Sequence, residues 1–314
     1  MQTHRYAALP RKGSPLRLGR KIWKHRAFYL LLLPAVAYVI LFCYTPMYGL
    51  QIAFKDYKGA LGIAGSRWVG LKHFRSFFNS YNFLQLLRNT LALSLYSLAA
   101  GFPLPILLAL LLNETKSRFK RFSQTVLYAP HFISMVVMVG MLNTLFSPSM
   151  GVINTLREAL GMERYYYMAQ PSAFRHLYVW SGVWQNIGWD AVIYLAALSA
   201  VDPSLHEAAM IDGASRIQRI THINLPTILP TIVILFIMAV GRVASVGYEK
   251  VYLLQNDLNV DVSEVISTYV YKRGVLNSNY SFSTAVGLFN NVVNIALLLL
   301  VNFISRRLGE TSLF

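Results

Sequence analysis

Cysteine occurs once in this chain, at Cys43, and acidic residues number only 13 in 314. A lone thiol excludes a disulfide framework and a thiolate metal site, and seven histidines scattered without ligand spacing offer no metal site either. Charged residues of both signs make up 13%, where soluble domains usually carry about a quarter. His-Glu-x-x-His, Gly-x-Ser-x-Gly and Gly-x-x-x-x-Gly-Lys-Ser/Thr are all missing, which removes the usual parts of a zinc protease, a serine hydrolase and an internal ATPase. The few acids within apolar runs form no pair, so a polytopic membrane enzyme lacks visible machinery. No half of the chain repeats the other, which counts against a single-chain secondary transporter.

What is present is apolar surface: 55% of residues are hydrophobic and the formal charge is +16. Such a composition predicts an all-α polytopic membrane protein. Runs long enough for the roughly 20 residues that cross a hydrocarbon core fall at about 27–47, 86–112, 125–146, 176–200, 227–247 and 284–305, so six transmembrane helices are expected. The first 26 residues hold eight Lys and Arg and no acid, and a basic flank of this kind stays cytoplasmic. A secretory signal fits less well, because the apolar run exceeds an h-region of about 7–15 residues and no small-residue cleavage site follows. The organisation predicted is a basic cytoplasmic N-terminal tail at 1–26, a first span with an external loop at 27–85, a core at 86–305 and a cytoplasmic tail at 306–314. With that orientation, inner segments hold 16 of the 29 basic residues and the longer outer loops 11. The cluster Lys116, Arg118, Lys120 and Arg121 therefore reads as an orientation signal and not as a nucleic-acid site, which would interleave more aromatic rings. Outside, Trp68 to Phe83 and Val152 to Leu160 have the spacing of helices lying on a bilayer surface.

One polar stretch, at 201–226, stands between two long apolar runs. Over Leu205 to Ile220, the apolar Leu205, Ala208, Ala209, Ile211 and Ile217 gather on one side of a helix, while Glu207, Arg216 and Arg219 reach the aqueous side. Asp212-Gly213 interrupts the run, since glycine lets a helix stop without a Cβ penalty. Glu207-Ala208-Ala209, then Asp212-Gly213-Ala214, with Ile220, Ile223, Leu225 and Pro226 at the following spacing, resembles the EAA loop of permease subunits in binding-protein-dependent ABC importers. The family usually has an aromatic residue where Ile220 stands. Trp184 through Ala209 is similar, without a gap, to maltose-type sugar permeases. Gly151-Val152-Ile153-Asn154, Trp68-Val69-Gly70-Leu71-Lys72-His73-Phe74 and Arg88-Asn89-Thr90 extend the likeness to about 65–305. Within that family the chain most resembles the membrane subunits of polysaccharide- or alginate-oligosaccharide importers.

The resemblance implies a type I importer permease fold in the cytoplasmic (inner) membrane of a bacterium, with the N-terminus cytoplasmic and the cargo moved by alternating access. It implies a coupling helix that docks on cytoplasmic ATPases through Glu207, Ala208, Ala209, Met210, Asp212, Gly213 and Ala214. The structural alternative makes Glu207 and Asp212 mere helix-end charges. Implied partners are a second homologous permease, two ATPase subunits, a periplasmic or extracellular solute-binding protein, membrane lipid and an oligosaccharide. No nucleic acid and no cofactor are expected in this chain, ATP and Mg belonging to the partner subunits.

Polar residues at membrane depth generally face a bundle interior or a watery path. Gln185, Asn186, Trp189 and Asp190 in the fourth span suit a sugar, which offers hydroxyls to amides and carboxylates and C–H faces to aromatic rings. The likeness to maltose-type permeases places Gln185, Asn186 and Trp189 on the path, and also the fifth-span end that carries Arg242, Gly247 and Tyr248. Arg242 would suit a carboxylate-bearing sugar through bidentate hydrogen bonds; an internal pair with Asp190 or Glu249, or snorkelling to the interface, is the competing role. Asn290 and Asn294 in the sixth span lie one turn apart, positioned for an interhelical seam or for substrate.

Overall fold

The computed structural model describes residues 23–307. The tails expected at 1–26 and 306–314 lie outside the described residues except for Trp23 to Arg26 and for Arg306 and Arg307. The chain divides into two units, one up to Gln51 and one from Ile52. In the first, helix α1 (Arg26–Val39) contains Pro34, buries none of its residues and passes into a π turn at Ile40–Tyr44. A helix apolar on every side and unburied by its own chain is what a lipid-facing span looks like.

The second unit opens with a short antiparallel ribbon, Lys55–Asp56 against Arg67–Trp68, and helix α2 (Lys72–Phe78), shorter than the helix expected over 68–83. Then come α3 (Phe83–Gly101) and α4 (Pro103–Asn113), in which Pro103 occupies the first helical position, where its missing N–H goes unneeded. Helix α5 (Ser117–Tyr128) and α6 (Met135–Leu145) follow, then the surface helix α7 (Val152–Ala159) and the 28-residue α8 (Pro171–Leu198). The polar stretch forms α9 (Pro203–Ile211) and α10 (Arg216–Arg219), and the chain finishes with α11 (Leu225–Val240), α12 (Tyr248–Leu254), α13 (Ile266–Tyr271) and α14 (Tyr280–Arg307).

Among the described residues, four helical runs are long and apolar enough to cross a membrane: Arg26–Phe54, Phe83–Asn113, Arg216–Val240 and Tyr280–Arg307. The expected third span is instead broken. Ser117–Phe132 and Met135–Leu145 meet at a bend of 98°, because Ile133 is extended and Ser134 starts a new helix by accepting the Val137 N–H. Pro130, in the 3-10 turn before the bend, has no N–H for a continuing α-ladder. The expected fourth span, α8, is long enough, yet it is not among the four: Arg175, Gln185, Asn186 and Asp190 lower its apolar character.

Helix α8 is the axis of the second unit. Near its start, Phe174 and Val179 pack with Leu93, Met138, Val139, Val251 and Val265. Toward its end, Ala191, Tyr194, Leu195 and Leu198 pack with Ala109, Leu110, Leu112 and Ile228. A third cluster joins Phe77, Leu86, Ile266, Tyr269, Phe282 and Val286, tying α2, α3, α13 and α14 together. Polar residues in the middle of α8 are thus held on a helix anchored at both ends.

Candidate functional site

Gly188 lets α8 run against the chain at Leu127: a Cβ built there would lie 2.2 Å from the Leu127 carbonyl oxygen. That approach delivers the broken segment 129–134 to the polar face of α8. Gln185 donates to the Ile133 carbonyl at 2.7 Å, Asn186 Oδ1 meets His131 Nδ1 at 3.0 Å, and Asn186 Nδ2 donates to the Gly182 carbonyl at 3.0 Å. Trp189 stacks on the His131 ring at 4.5 Å with 2° between planes. His131 has no sequence signal, since a lone histidine beside a proline carries no spacing; only the fold brings it to α8.

Beyond α11 the backbone leaves the helix. Gly241 packs so closely on α14 that a Cβ would sit 2.7 Å from Leu298 Cδ1, and Arg242 to Gly247 then run irregularly before α12. Irregular backbone at membrane depth persists where its polar groups are satisfied or line a cavity. Asn294 does the satisfying: its Oδ1 accepts the Ala244 N–H at 2.9 Å and its Nδ2 donates to Ser245 Oγ at 2.6 Å. Asn294 thereby holds the segment that displays Arg242.

Two adjoining cavities open between α3, α8 and this segment. One of about 480 Å³ is lined by Ser94, Asp190, Tyr194 and Arg242 among others. The other, of about 370 Å³, is lined by Gln185, Asn186, Glu249 and Lys250, and both share Ser97, Gly101, Tyr178, Asp190 and Gly247. They form one cleft, whose largely apolar wall carries a few polar and charged side chains. Of the residues expected on a path, Gln185, Asn186, Asp190, Arg242 and Gly247 line it. Trp189, Tyr248, Asn290 and Asn294 are not among its lining residues: Tyr248 stacks on Tyr271 at 5.0 Å, and Asn290 Oδ1 is buried without a hydrogen-bond partner among the described residues. Among the described residues no carboxylate lies within 4.0 Å of the Arg242 guanidinium, so the pairs with Asp190 and Glu249 are not formed here.

The polar stretch has its own architecture. Asp202 caps α9 by accepting the Ser204 N–H at 2.9 Å, a bond that holds its carboxyl below the ordinary range. The helix ends in a Schellman turn: Ala214 N–H reaches the Ala209 carbonyl at 2.8 Å, Gly213 N–H reaches Met210 at 3.2 Å, and Gly213 takes φ +78°. Ser215 and Gln218 then close a reciprocal capping box on α10. Leu205, Met210, Ile211 and Ile217 remain exposed, Ile211 by 87%. Arg219 differs from expectation. Instead of reaching water it is mostly covered and faces Glu114 at 3.9 Å, joining this stretch to the loop after α4. Asp212 stands at the C-terminal end of α9, where a negative charge opposes the helix dipole by about 0.3–1 kcal/mol. Helix stability does not explain that acid.

Comparison with known proteins returns one consistent result. Residues 101–310 match the family described as binding-protein-dependent transport system inner membrane component. Over 309 residues the chain is 44% identical to the polygalacturonan/rhamnogalacturonan transport system permease protein YteP of Bacillus subtilis (strain 168), which covers 98% of this chain and 96% of the relative. Protein LplB of the same organism is 44% identical over 287 residues, 91% of this chain and 90% of its own. A chain in the crystal structure of a bacterial alginate ABC transporter, in complex with an alginate pentasaccharide-bound periplasmic protein, superposes with a TM-score of 0.86. It is 41% identical and covers 95% of this chain and 100% of its own.

Proposed function

Because this chain belongs to the family of binding-protein-dependent transport system inner membrane components, we propose that it forms one half of the membrane channel of an ATP-driven importer of uronate-bearing oligosaccharides. A second, similar permease completes the path, a solute-binding protein delivers the cargo from outside, and two cytoplasmic ATPases engage α9 and the Gly213 turn. The N-terminus lies in the cytoplasm. No covalent chemistry falls to this chain; its cargo moves because nucleotide-driven closure of the ATPases shifts the balance between outward- and inward-open states.

The observation that carries the anionic cargo is Arg242, a guanidinium on the wall of the cleft with no carboxylate within 4.0 Å of it among the described residues. Relatives that handle polygalacturonan/rhamnogalacturonan and alginate support the same cargo class. A charged hydrogen bond contributes about 1.5–3 kcal/mol, so Arg242→Ala should reduce uptake of an oligouronate roughly ten- to a hundredfold. The same oligosaccharide with its carboxyls reduced to alcohols should be carried equally by wild type and variant. Both uptakes are measured in proteoliposomes holding the assembled complex. Equal loss of the two substrates would assign Arg242 to structure.

A further inference from the structure

The cleft has a second cation, one that charge patterning alone leaves among the outer-loop residues. Lys250 sits on the first turn of α12, and α12 packs against α8 through Val251 and Leu254. Its side chain is drawn inward, so that the residue is 5% exposed, and it lines the 370 Å³ part of the cleft with Gln185, Asn186 and Asp190. The ammonium donates to the Tyr178 carbonyl at 2.7 Å and lies 4.7 Å from the centre of the Tyr178 ring. Gly182, one turn further along α8, makes room for it: a Cβ there would be 3.1 Å from Nζ.

What the ammonium lacks is an anion. Glu249 and Asp190 line the same cavity, but among the described residues no carboxylate comes within 4.0 Å of Nζ. One carbonyl and one ring face satisfy a single donor and part of the charge; an ammonium carries three donors. Burial without a counter-ion pushes the Lys250 amine down to about 8. Packing alone would be served better by an uncharged side chain of the same length, because an unpaired buried charge is costly. The cavity wall is where that cost can be recovered.

From this geometry we infer that Lys250 is a specificity-determining residue of the permeation path, its ammonium receiving a carboxylate of the passing oligosaccharide at a point distinct from Arg242. The inference rests on the anionic-cargo reading above. Two cations at different positions along one cleft would engage two uronates of the same chain, or one uronate in succession, and a neutral sugar would leave both unpaired. Discrimination then comes from the neutral cargo's failure to compensate the buried charge as much as from attraction of the acidic one.

The test is transport by the complete complex, containing permease pair, ATPases and binding protein, reconstituted with wild type, Lys250→Met or Lys250→Arg. Met keeps the length and removes the charge; Arg keeps the charge. Initial uptake of an oligouronate should fall at least tenfold in Lys250→Met and be partly retained in Lys250→Arg, while uptake of the carboxyl-reduced oligosaccharide changes less than twofold. Equal loss on both substrates, or equal behaviour of Met and Arg on the oligouronate, would overturn the assignment and leave Lys250 as a packing residue. An unchanged oligouronate rate in Lys250→Met would also overturn it while leaving the anionic-cargo reading intact. Failure of wild type to carry the oligouronate at all would instead remove that reading, and this inference with it.

Discussion

Replacing Gly213 by Val should leave the complex assembled in the membrane but lower both substrate uptake and substrate-stimulated ATP hydrolysis at least tenfold. Gly213 takes φ +78°, and a Cβ added there would have nothing within 4 Å among the described residues, so within this chain the substitution acts through the backbone. A left-handed conformation costs an L-residue roughly 1–2 kcal/mol, and more for a β-branched side chain. The chain relieves that cost by abandoning the two Schellman bonds to Ala209 and Met210, which redirects Ala214 and the capped helix α10. The exposed Met210 and Ile211 then no longer keep their register with Ile217. Asparagine tolerates the left-handed region better than other residues with a side chain, so activity should follow the order Gly, Asn, Ala, Val. Substrate-stimulated hydrolysis by the complex is the readout, with copurification of all subunits as the control for assembly. Equal activity of the Asn and Val variants would remove backbone geometry as the cause and, with it, the proposed engagement of this turn by the ATPases.

The turn at Gly213 is legible in the sequence because its signals are local. Acidic and apolar residues at helical spacing, followed by Asp-Gly, need nothing distant to be read as a helix that stops. That Asn294 needs a partner is likewise visible, since an amide in an apolar run must be satisfied by a neighbouring segment; that the partner is the irregular backbone at Ala244 and Ser245 is not. Other features are not local. The 98° break after Phe132 hides inside a run with the hydropathy of a span, and it is held open by contacts from Gln185 and Asn186, more than 50 residues away. Charge alone assigns Lys250 to an outer loop, and its inward turn depends on Gly182 and on the Tyr178 carbonyl of α8. Arg219 reads as a solvent-facing charge, because the acid that draws it in, Glu114, lies on a different loop. Hydropathy reports the average of a segment, and these three cases are decided by one or two distant partners each.

The same dependence on a distant partner gives the second large effect: Gly188→Ala should lower the thermal midpoint of the complex and the yield of its folded, assembled form. The methyl would lie 2.2 Å from the Leu127 oxygen and 2.6 Å from its carbonyl carbon. Both are backbone atoms of a helix and cannot step aside as a side-chain tip would. Overpacking in a tight core costs about 1–3 kcal/mol, occasionally more, against a net stability of roughly 5–15 kcal/mol for a folded protein. The cost here falls at one end of a chain of contacts: moving α8 away from Leu127 lengthens the Gln185 bond to Ile133, the Asn186 bond to His131 and the stack of Trp189 on His131. Since those contacts hold the break open beside the cleft, any Gly188→Ala complex that does assemble should also transport more slowly per molecule. Gly287→Ala on α14 is the matched control, because a methyl there meets nothing within 4 Å among the described residues and alanine favours the helix by about 1 kcal/mol. Yield of monodisperse complex and its thermal midpoint should fall for Gly188→Ala and hold for Gly287→Ala. If both variants behaved as wild type, α8 would have to separate from Leu127 without loss, and the cleft could not owe its shape to that contact.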